Sequence, residues 1–182
     1  MNYLEKFRHI HTFIFDVDGV MTNNDLIVME NGRLLRTMNT RDGYALKTAV
    51  QAGYRVAVIT GGKSSGVAVR LEALGITDIY KGVEDKLDAF EEYIETYNID
   101  TAGVLYMGDD IPDYLPMRRV GLPACPADAT VEIVSISQYI SPLNGGAGCV
   151  RDVIEKVLKL QGKWMIDPDQ KEANSLSDQS NS

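Results

Sequence analysis

The sequence is short of positive charge, of cysteine and of histidine. Its 182 residues carry 18 Lys and Arg against 26 Asp and Glu, a formal net charge of −8. General binding to nucleic acid or to an anionic membrane needs clustered positive charge, so this balance argues against both. It does not exclude an anionic substrate, which a few local donors can hold. The two cysteines, Cys125 and Cys149, are too few for a disulfide framework or a four-cysteine zinc site, and they fit a reducing compartment. The two histidines, His9 and His11, have no acid or cysteine spaced to complete a metal site with them. No apolar run approaches the ~20 residues of a membrane span. Met1 to His11 carries charges and no long apolar stretch, so a secretory leader is not expected and the cytoplasm is the expected location.

What is present is ordinary for a globular protein: 45% hydrophobic and 24% charged residues. A chain of this length fits one domain, expected over 1–166. From Asp167 to Ser182 the sequence reads DPDQKEANSLSDQSNS, with Ala173 and Leu176 its only aliphatic residues. Such a stretch cannot bury enough apolar area to offset the entropy of ordering, and it is predicted to be a disordered tail.

The rest alternates short apolar runs with helical patterns. Thr12 to Phe15 is a predicted strand running into Asp16. Two apolar runs, Leu26–Met29 and Leu34–Met38, flank Asn31-Gly32 and predict a β-hairpin. Asp42 is expected to cap a helix that runs through Ala52. Further strands are predicted at Arg55–Ile59, ending at Thr60, at Ile76–Tyr80 and at Val104–Met107. Helices are predicted from about Ser64 to Leu74, from Glu84 to Tyr97 and from Gly148 to Leu160. Such alternation predicts an α/β fold with a doubly wound parallel sheet. Ligands in such sheets bind beyond the carboxyl ends of the strands, so the polar residues that follow each strand carry the functional information.

Those residues form a set. Asp16-Val17-Asp18-Gly19 follows the first strand, and in an extended segment residues i and i+2 face the same way. Two close carboxylates need a cation or a proton between them. Carboxylates without histidine or cysteine select a hard, oxygen-loving metal, Mg²⁺ first among them. Asp109 and Asp110 end another strand and supply a second acidic pair. Thr60-Gly61-Gly62 joins a strand to a helix, offering a hydroxyl and free N–H groups to an anion. Gly62-Lys63-Ser64 also matches the end of a nucleotide-binding P-loop, but that motif needs glycine where this chain has Ala57. Lys86 offers fixed positive charge to a phosphoryl group.

In this order, Asp16 with Asp18, Thr60, Lys86, and Asp109 with Asp110 resemble the four motifs of the haloacid dehalogenase superfamily of phosphotransferases, across about residues 10 to 160. The resemblance implies a Rossmann-like core. It implies that Asp16 is the nucleophile and Asp18 the general acid and base. It implies that Mg²⁺ is held by the Asp16 carboxylate, the Asp18 carbonyl and Asp109, with Asp110 supporting and Asp113 behind them. Thr60, Gly61 and Lys86 would then hold the phosphoryl oxygens.

Few residues remain for a cap domain between these motifs. The stretches FDVDGVMTN, ENGRLLRTMNTRDGYALKTAVQAGYRVAVITG, GVEDKL and MGDDIPD are similar to a capless subfamily, the 3-deoxy-D-manno-octulosonate 8-phosphate phosphatases. That similarity implies a sugar-acid phosphate substrate, a role in lipopolysaccharide synthesis, and a homotetramer in which hairpins border neighbouring sites. Here the hairpin is Leu26 to Met38, with Ile27, Met29, Leu34 and Met38 as its apolar residues. Gly62, Lys63, Arg41 and Arg151 are its candidate substrate contacts, since a guanidinium fork fits a carboxylate. Subfamily members often have Arg at position 62, and nonulosonate 9-phosphate relatives can have Glu. Gly62 matches neither, so a nonulosonate 9-phosphate remains the alternative substrate. A phospho-receiver signalling module is the more distant alternative, opposed by the D-x-D spacing and the acidic pair at 109 and 110.

Overall fold

A computed structural model describes residues 3–165, and the tail expected over 167–182 lies outside the described residues. In chain order the elements are helix α1 (Tyr3–Phe7), strand β1 (Thr12–Phe15), hairpin strands β2 (Ile27–Val28) and β3 (Leu34–Leu35), and helix α2 (Thr40–Gln51). Then come β4 (Arg55–Thr60), α3 (Ser65–Ala73), β5 (Asp78–Lys81), α4 (Lys86–Tyr97), β6 (Val104–Met107) and α5 (Tyr114–Met117). β7 (Leu122–Cys125), α6 (Val131–Ile136), β8 (Tyr139–Ile140) and α7 (Cys149–Leu160) complete the fold.

Six strands form one sheet in the order β5-β4-β1-β6-β7-β8, every pair parallel. This is the doubly wound α/β sheet the alternation predicts. The order reverses at β1, which has β4 on one side and β6 on the other. A crevice therefore opens beyond the carboxyl ends of these three strands. β1 is buried along its whole length, as a strand covered by helices on both faces must be. Its side chains alternate between two cores. Phe13 and Phe15 join Leu46, Leu71 and Val153, from α2, α3 and α7. Ile14 joins Phe90, Tyr93, Met117 and Ile133, from α4, α5 and α6.

Several local expectations shift. β5 begins at Asp78, two residues later than the apolar run suggests. Asp85, not Glu84, leads into α4, its side chain accepting from the Leu87 N–H, so Lys86 is the first residue of that helix. β7, β8, α5 and α6 have no clear periodic signal, and β7 carries Pro123 within a buried strand. The hairpin pairs only Ile27 with Leu35 and Val28 with Leu34. It exposes Leu26, Ile27, Val28, Met29, Leu34 and Leu35, whereas Met38 packs against the core. No helix among the described residues is long and apolar enough to cross a membrane.

The clearest correction concerns Asp42. The cap of α2 is Asn39, whose side chain accepts from the N–H groups of Arg41 and Asp42. Asp42 sits inside the helix and is buried. Its Oδ1 accepts the Arg151 N–H at 2.8 Å, so it caps α7, far along the chain. Its other oxygen, Oδ2, has no hydrogen-bond partner among the described residues. Burial pushes the Asp42 carboxyl up from its ordinary 3.8 to about 6, against the pull of the Arg151 N–H. The folded value lies above the unfolded one, so this group's contribution to stability is complete below about pH 4 and is lost as pH rises through about 6. Asp42→Asn removes that titration. Its melting temperature is expected to fall less than the wild type's between pH 5 and pH 8, and thermal melts at the two pH values test this.

Candidate active site

The hydrogen-bond ladder of β1 continues past the strand, because the Asp16 N–H donates to the Met107 carbonyl at 3.1 Å. Asp16 is thereby held at the lip of the sheet. The following segment is not extended, as its i and i+2 spacing suggests. It winds into one wide turn over Val17–Met21, closed by the Thr22 N–H on the Val17 carbonyl, with Gly19 at φ +82°. Asp16 and Asp18 nonetheless border one cleft, with Asn24, Thr60, Gly61, Gly62, Lys86 and Asp109. Gly19 is required twice over. Its positive φ disfavours any side chain, and a Cβ there would stand 1.9 Å from Asp109 Oδ2.

Lys86 is the hub. Its Nζ lies 2.6 Å from Asp16 Oδ2 and 2.8 Å from Asp113 Oδ1, and all three side chains are buried. Asp113 Oδ1 also accepts from the Tyr106 hydroxyl at 2.9 Å, and Oδ2 from the Asp109 N–H at 3.3 Å. Asp16 Oδ1 accepts the Val17 N–H at 2.6 Å. Asp109 Oδ2 accepts from Asn24 at 3.3 Å.

One carboxylate oxygen from each of Asp16, Asp109 and Asp113 lies within 4.8 Å of the other two. Three buried acids face one buried ammonium. Burial, then the Asp113 charge, push the Asp16 carboxyl well above the usual carboxylate range, while Lys86 and the Val17 N–H pull the other way. Burial likewise raises Asp109 to about 6. Burial alone would lower Lys86, but Asp16 and Asp113 outweigh it and leave the amine raised, so it stays charged. A cation among the oxygens removes the strain on Asp16 and Asp109. The donor set is all oxygen, which fits a hard divalent ion. Asp113 is the most heavily engaged of the three, its Oδ1 taking both Lys86 and Tyr106 and its Oδ2 the Asp109 N–H, whereas each Asp16 oxygen meets a single protein donor and Asp109 accepts from Asn24 on Oδ2.

Thr60 ends β4 and is buried, its Oγ1 accepting the Gly62 N–H at 3.1 Å. Asp110 is exposed at the cleft's mouth, where its side chain accepts the Ile111 N–H. It is not part of the carboxylate cluster. Lys63 lines a groove beside the cleft, with Ser64, Ser65 and Gly66 at the start of α3. Arg41 and Arg151 do meet, but in a separate groove with Ala147 and Gly148. There the Arg151 Nε donates to Glu155 at 2.9 Å and its guanidinium lies 5.3 Å from the Trp164 ring centroid. The Gly145-Gly146 turn packs against the site's first loop, since Cβ atoms there would stand 2.0 Å from the Gly19 carbonyl and 2.6 Å from the Asn23 nitrogen.

Sequence reasoning missed three participants. Asn24 and Tyr106 hold Asp109 and Asp113 from positions that carry no motif. Arg36, just past β3, grips Asp18 with both arms, Nε to Oδ1 at 2.5 Å and Nη2 to Oδ2 at 3.0 Å. Only the fold brings these 18-residue-separated partners together.

No family model matches the chain. It is 38% identical over 160 residues to the 3-deoxy-D-manno-octulosonate 8-phosphate phosphatase KdsC of Escherichia coli K12, covering 88% of this chain and 85% of that protein. A structure of that phosphatase from Moraxella catarrhalis, in complex with a magnesium ion, a phosphate ion and a KDO molecule, superimposes with a TM-score of 0.85. It is 33% identical and covers 88% of this chain and 92% of that one. A structure of the putative phosphatase of the same name from Vibrio cholerae also gives a TM-score of 0.85, at 35% identity over 90% of this chain and 92% of that one.

Gly19→Ala is expected to push Asp109 out of the cluster. Backbone strain alone costs about 1–3 kcal/mol. The rise in melting temperature on adding Mg²⁺ should shrink with it. Calorimetric melts of both proteins, with and without the ion, measure the two effects.

Proposed function

The chain belongs to the 3-deoxy-D-manno-octulosonate 8-phosphate phosphatase family of the haloacid dehalogenase superfamily, and from that premise we propose that it hydrolyses 3-deoxy-D-manno-octulosonate 8-phosphate to the free sugar acid and phosphate. The observation that carries the reading is the buried cluster of Asp16, Asp109 and Asp113 on Lys86. It lies where a doubly wound sheet binds ligands, in a chain 38% identical to the Escherichia coli enzyme.

In the proposed reaction an Asp16 oxygen attacks phosphorus. The bond from phosphorus to the sugar oxygen breaks, and Asp18 gives that oxygen its proton. Asp16 then carries the phosphoryl group as an acyl phosphate. Asp18, now a carboxylate, takes a proton from water, and the water oxygen attacks phosphorus. The Asp16–phosphorus bond breaks, phosphate leaves, and both aspartates are restored. Lys86 and the Gly61 N–H hold the phosphoryl oxygens. Thr60 joins them, because its oxygen accepts the Gly62 N–H and its own O–H is free to donate. Asp16, Asp109 and the Asp18 carbonyl, with Asp110 at the rim, would hold a Mg²⁺ ion, which would supply positive charge against the phosphoryl oxygens.

The open cleft needs a cover to exclude water, and the hairpin suggests its source. Its exposed apolar side chains exceed what an isolated hairpin hides, which supports self-association as a homotetramer. The proposed location is the cytoplasm, consistent with two free, buried cysteines. Lipopolysaccharide synthesis is the pathway that the sugar acid implies.

With Mg²⁺, kcat/KM for the eight-carbon 8-phosphate is expected to exceed that for a nine-carbon 9-phosphate by about tenfold, or ~1.4 kcal/mol, and Asp16→Asn is expected to abolish turnover. Preference for the nine-carbon compound would replace the substrate with a nonulosonate phosphate. Val28→Asp is expected to reduce the particle to a smaller species by light scattering. An unchanged mass would remove the hairpin from the interface.

A further inference from the structure

Arg36 is bound to Asp18 at the edge of the catalytic cleft, and none of the proposed steps uses it. Its guanidinium arrives from the hairpin and closes on both oxygens of Asp18. The Arg36 side chain is 7% exposed, that of Asp18 37%. Asp18 has to turn an oxygen toward the departing sugar oxygen, yet both oxygens are engaged. A guanidinium leaves one carboxylate readily only when another anion receives it.

The surroundings show where that anion sits. Asp18 also lines a groove with Arg33, Arg36 and Lys63, and this groove shares Asp18, Gly61 and Gly62 with the cleft. Among the described residues that line it, Asp18 is the only acid. Among the described residues neither Arg33 nor Lys63 makes an ion pair. A departing alcohol leaves past Asp18, so this groove receives the substrate's far end. Its charge selects a far end that is itself anionic.

Position 62 makes room for this arrangement. A Cβ there would lie 3.4 Å from Arg36 Nη2 and 3.5 Å from Asp18 Oδ2. Both are ordinary contacts, so a methyl would fit, while a longer side chain would compete with the guanidinium for room. Gly62 is bare where Arg36 needs passage.

Building on the proposed sugar-acid substrate, we propose that Arg36 reads its carboxylate: parked on the Asp18 carboxylate in the free protein, the guanidinium moves to the substrate's distal carboxylate, and Asp18, so released, takes a proton from solvent and passes it to the leaving sugar oxygen, with Gly62 leaving room beside the guanidinium. Arg41 and Arg151, in their separate groove, are not needed for this contact within one chain. The bidentate fit of guanidinium to carboxylate explains why an arginine and not a lysine stands here.

The test compares the octulosonate 8-phosphate with 4-nitrophenyl phosphate, which has no carboxylate. In the wild type the first is expected to be preferred. Arg36→Gln is expected to lower the ratio of their kcat/KM values by about tenfold or more, chiefly through KM for the sugar acid, and Arg36→Lys to recover part of it. Gly62→Arg in the Arg36→Gln background places a guanidinium in the same space and is expected to restore preference. Should Arg36→Gln fail to fold, the wild type still decides. The free sugar acid is expected to inhibit 4-nitrophenyl phosphate cleavage more strongly than its methyl ester, and equal inhibition by the two overturns the proposal. Equal losses for both substrates in Arg36→Gln would make Arg36 a fastener of the hairpin and overturn the proposal, leaving the substrate reading intact. A wild type without preference overturns both.

Discussion

One buried ammonium holds this site together. Lys86 stands between Asp16 and Asp113 in a region where an unpaired carboxylate would be costly to ionise. It pulls the Asp16 carboxyl back toward its charged form against burial and the Asp113 charge, and it fixes Asp113, which in turn holds the Asp109 N–H. Taking Lys86 away would leave buried acids facing each other across less than 5 Å. The sheet exists, from this standpoint, to bring three chain segments to one point. β1 delivers Asp16, β6 delivers Asp109, and the first turn of α4 delivers Lys86. The charge remains unbalanced by design, three acids to one base, and that deficit is what makes the site receptive to a divalent ion and then to a phosphoryl group.

Much of this was legible in the chain. Asp16 and Thr60 directly follow or end an apolar run and Asp109 follows one after Gly108, so their meeting at one sheet edge follows from the doubly wound topology alone. Lys86 was legible only with the resemblance, because a lone lysine before a helix carries no local signal. Arg36, Asn24 and Tyr106 were not legible, since each acts through a contact that exists only after the chain has folded. Asp42 shows the same limit in reverse. Its spacing fits a local helix cap, and Asn39 takes that role while Asp42 caps α7 across the core. Local propensity sees an acid near a helix start but cannot see which helix. The same holds for β7, where Pro123 argues against a central strand and tertiary burial overrides it.

The glycines of the site follow a single logic of crowding. Gly19 clears space for Asp109, and Gly145 and Gly146 clear space for the loop that carries Gly19. Gly62 clears space for Arg36. At Gly19, Gly145 and Gly146 a Cβ would clash outright, whereas at Gly62 it would only come into contact with the Arg36 guanidinium. The hairpin beside the cleft leaves Leu26, Ile27, Val28, Met29, Leu34 and Leu35 exposed.

The central claim is that Asp16 itself becomes phosphorylated. Borohydride added during turnover reduces an acyl phosphate to the alcohol, and peptide mass spectrometry then locates the changed residue. The account predicts homoserine at position 16, appearing only with substrate and Mg²⁺ present. An unmodified Asp16, or reduction at Asp18 or Asp109 instead, would contradict it.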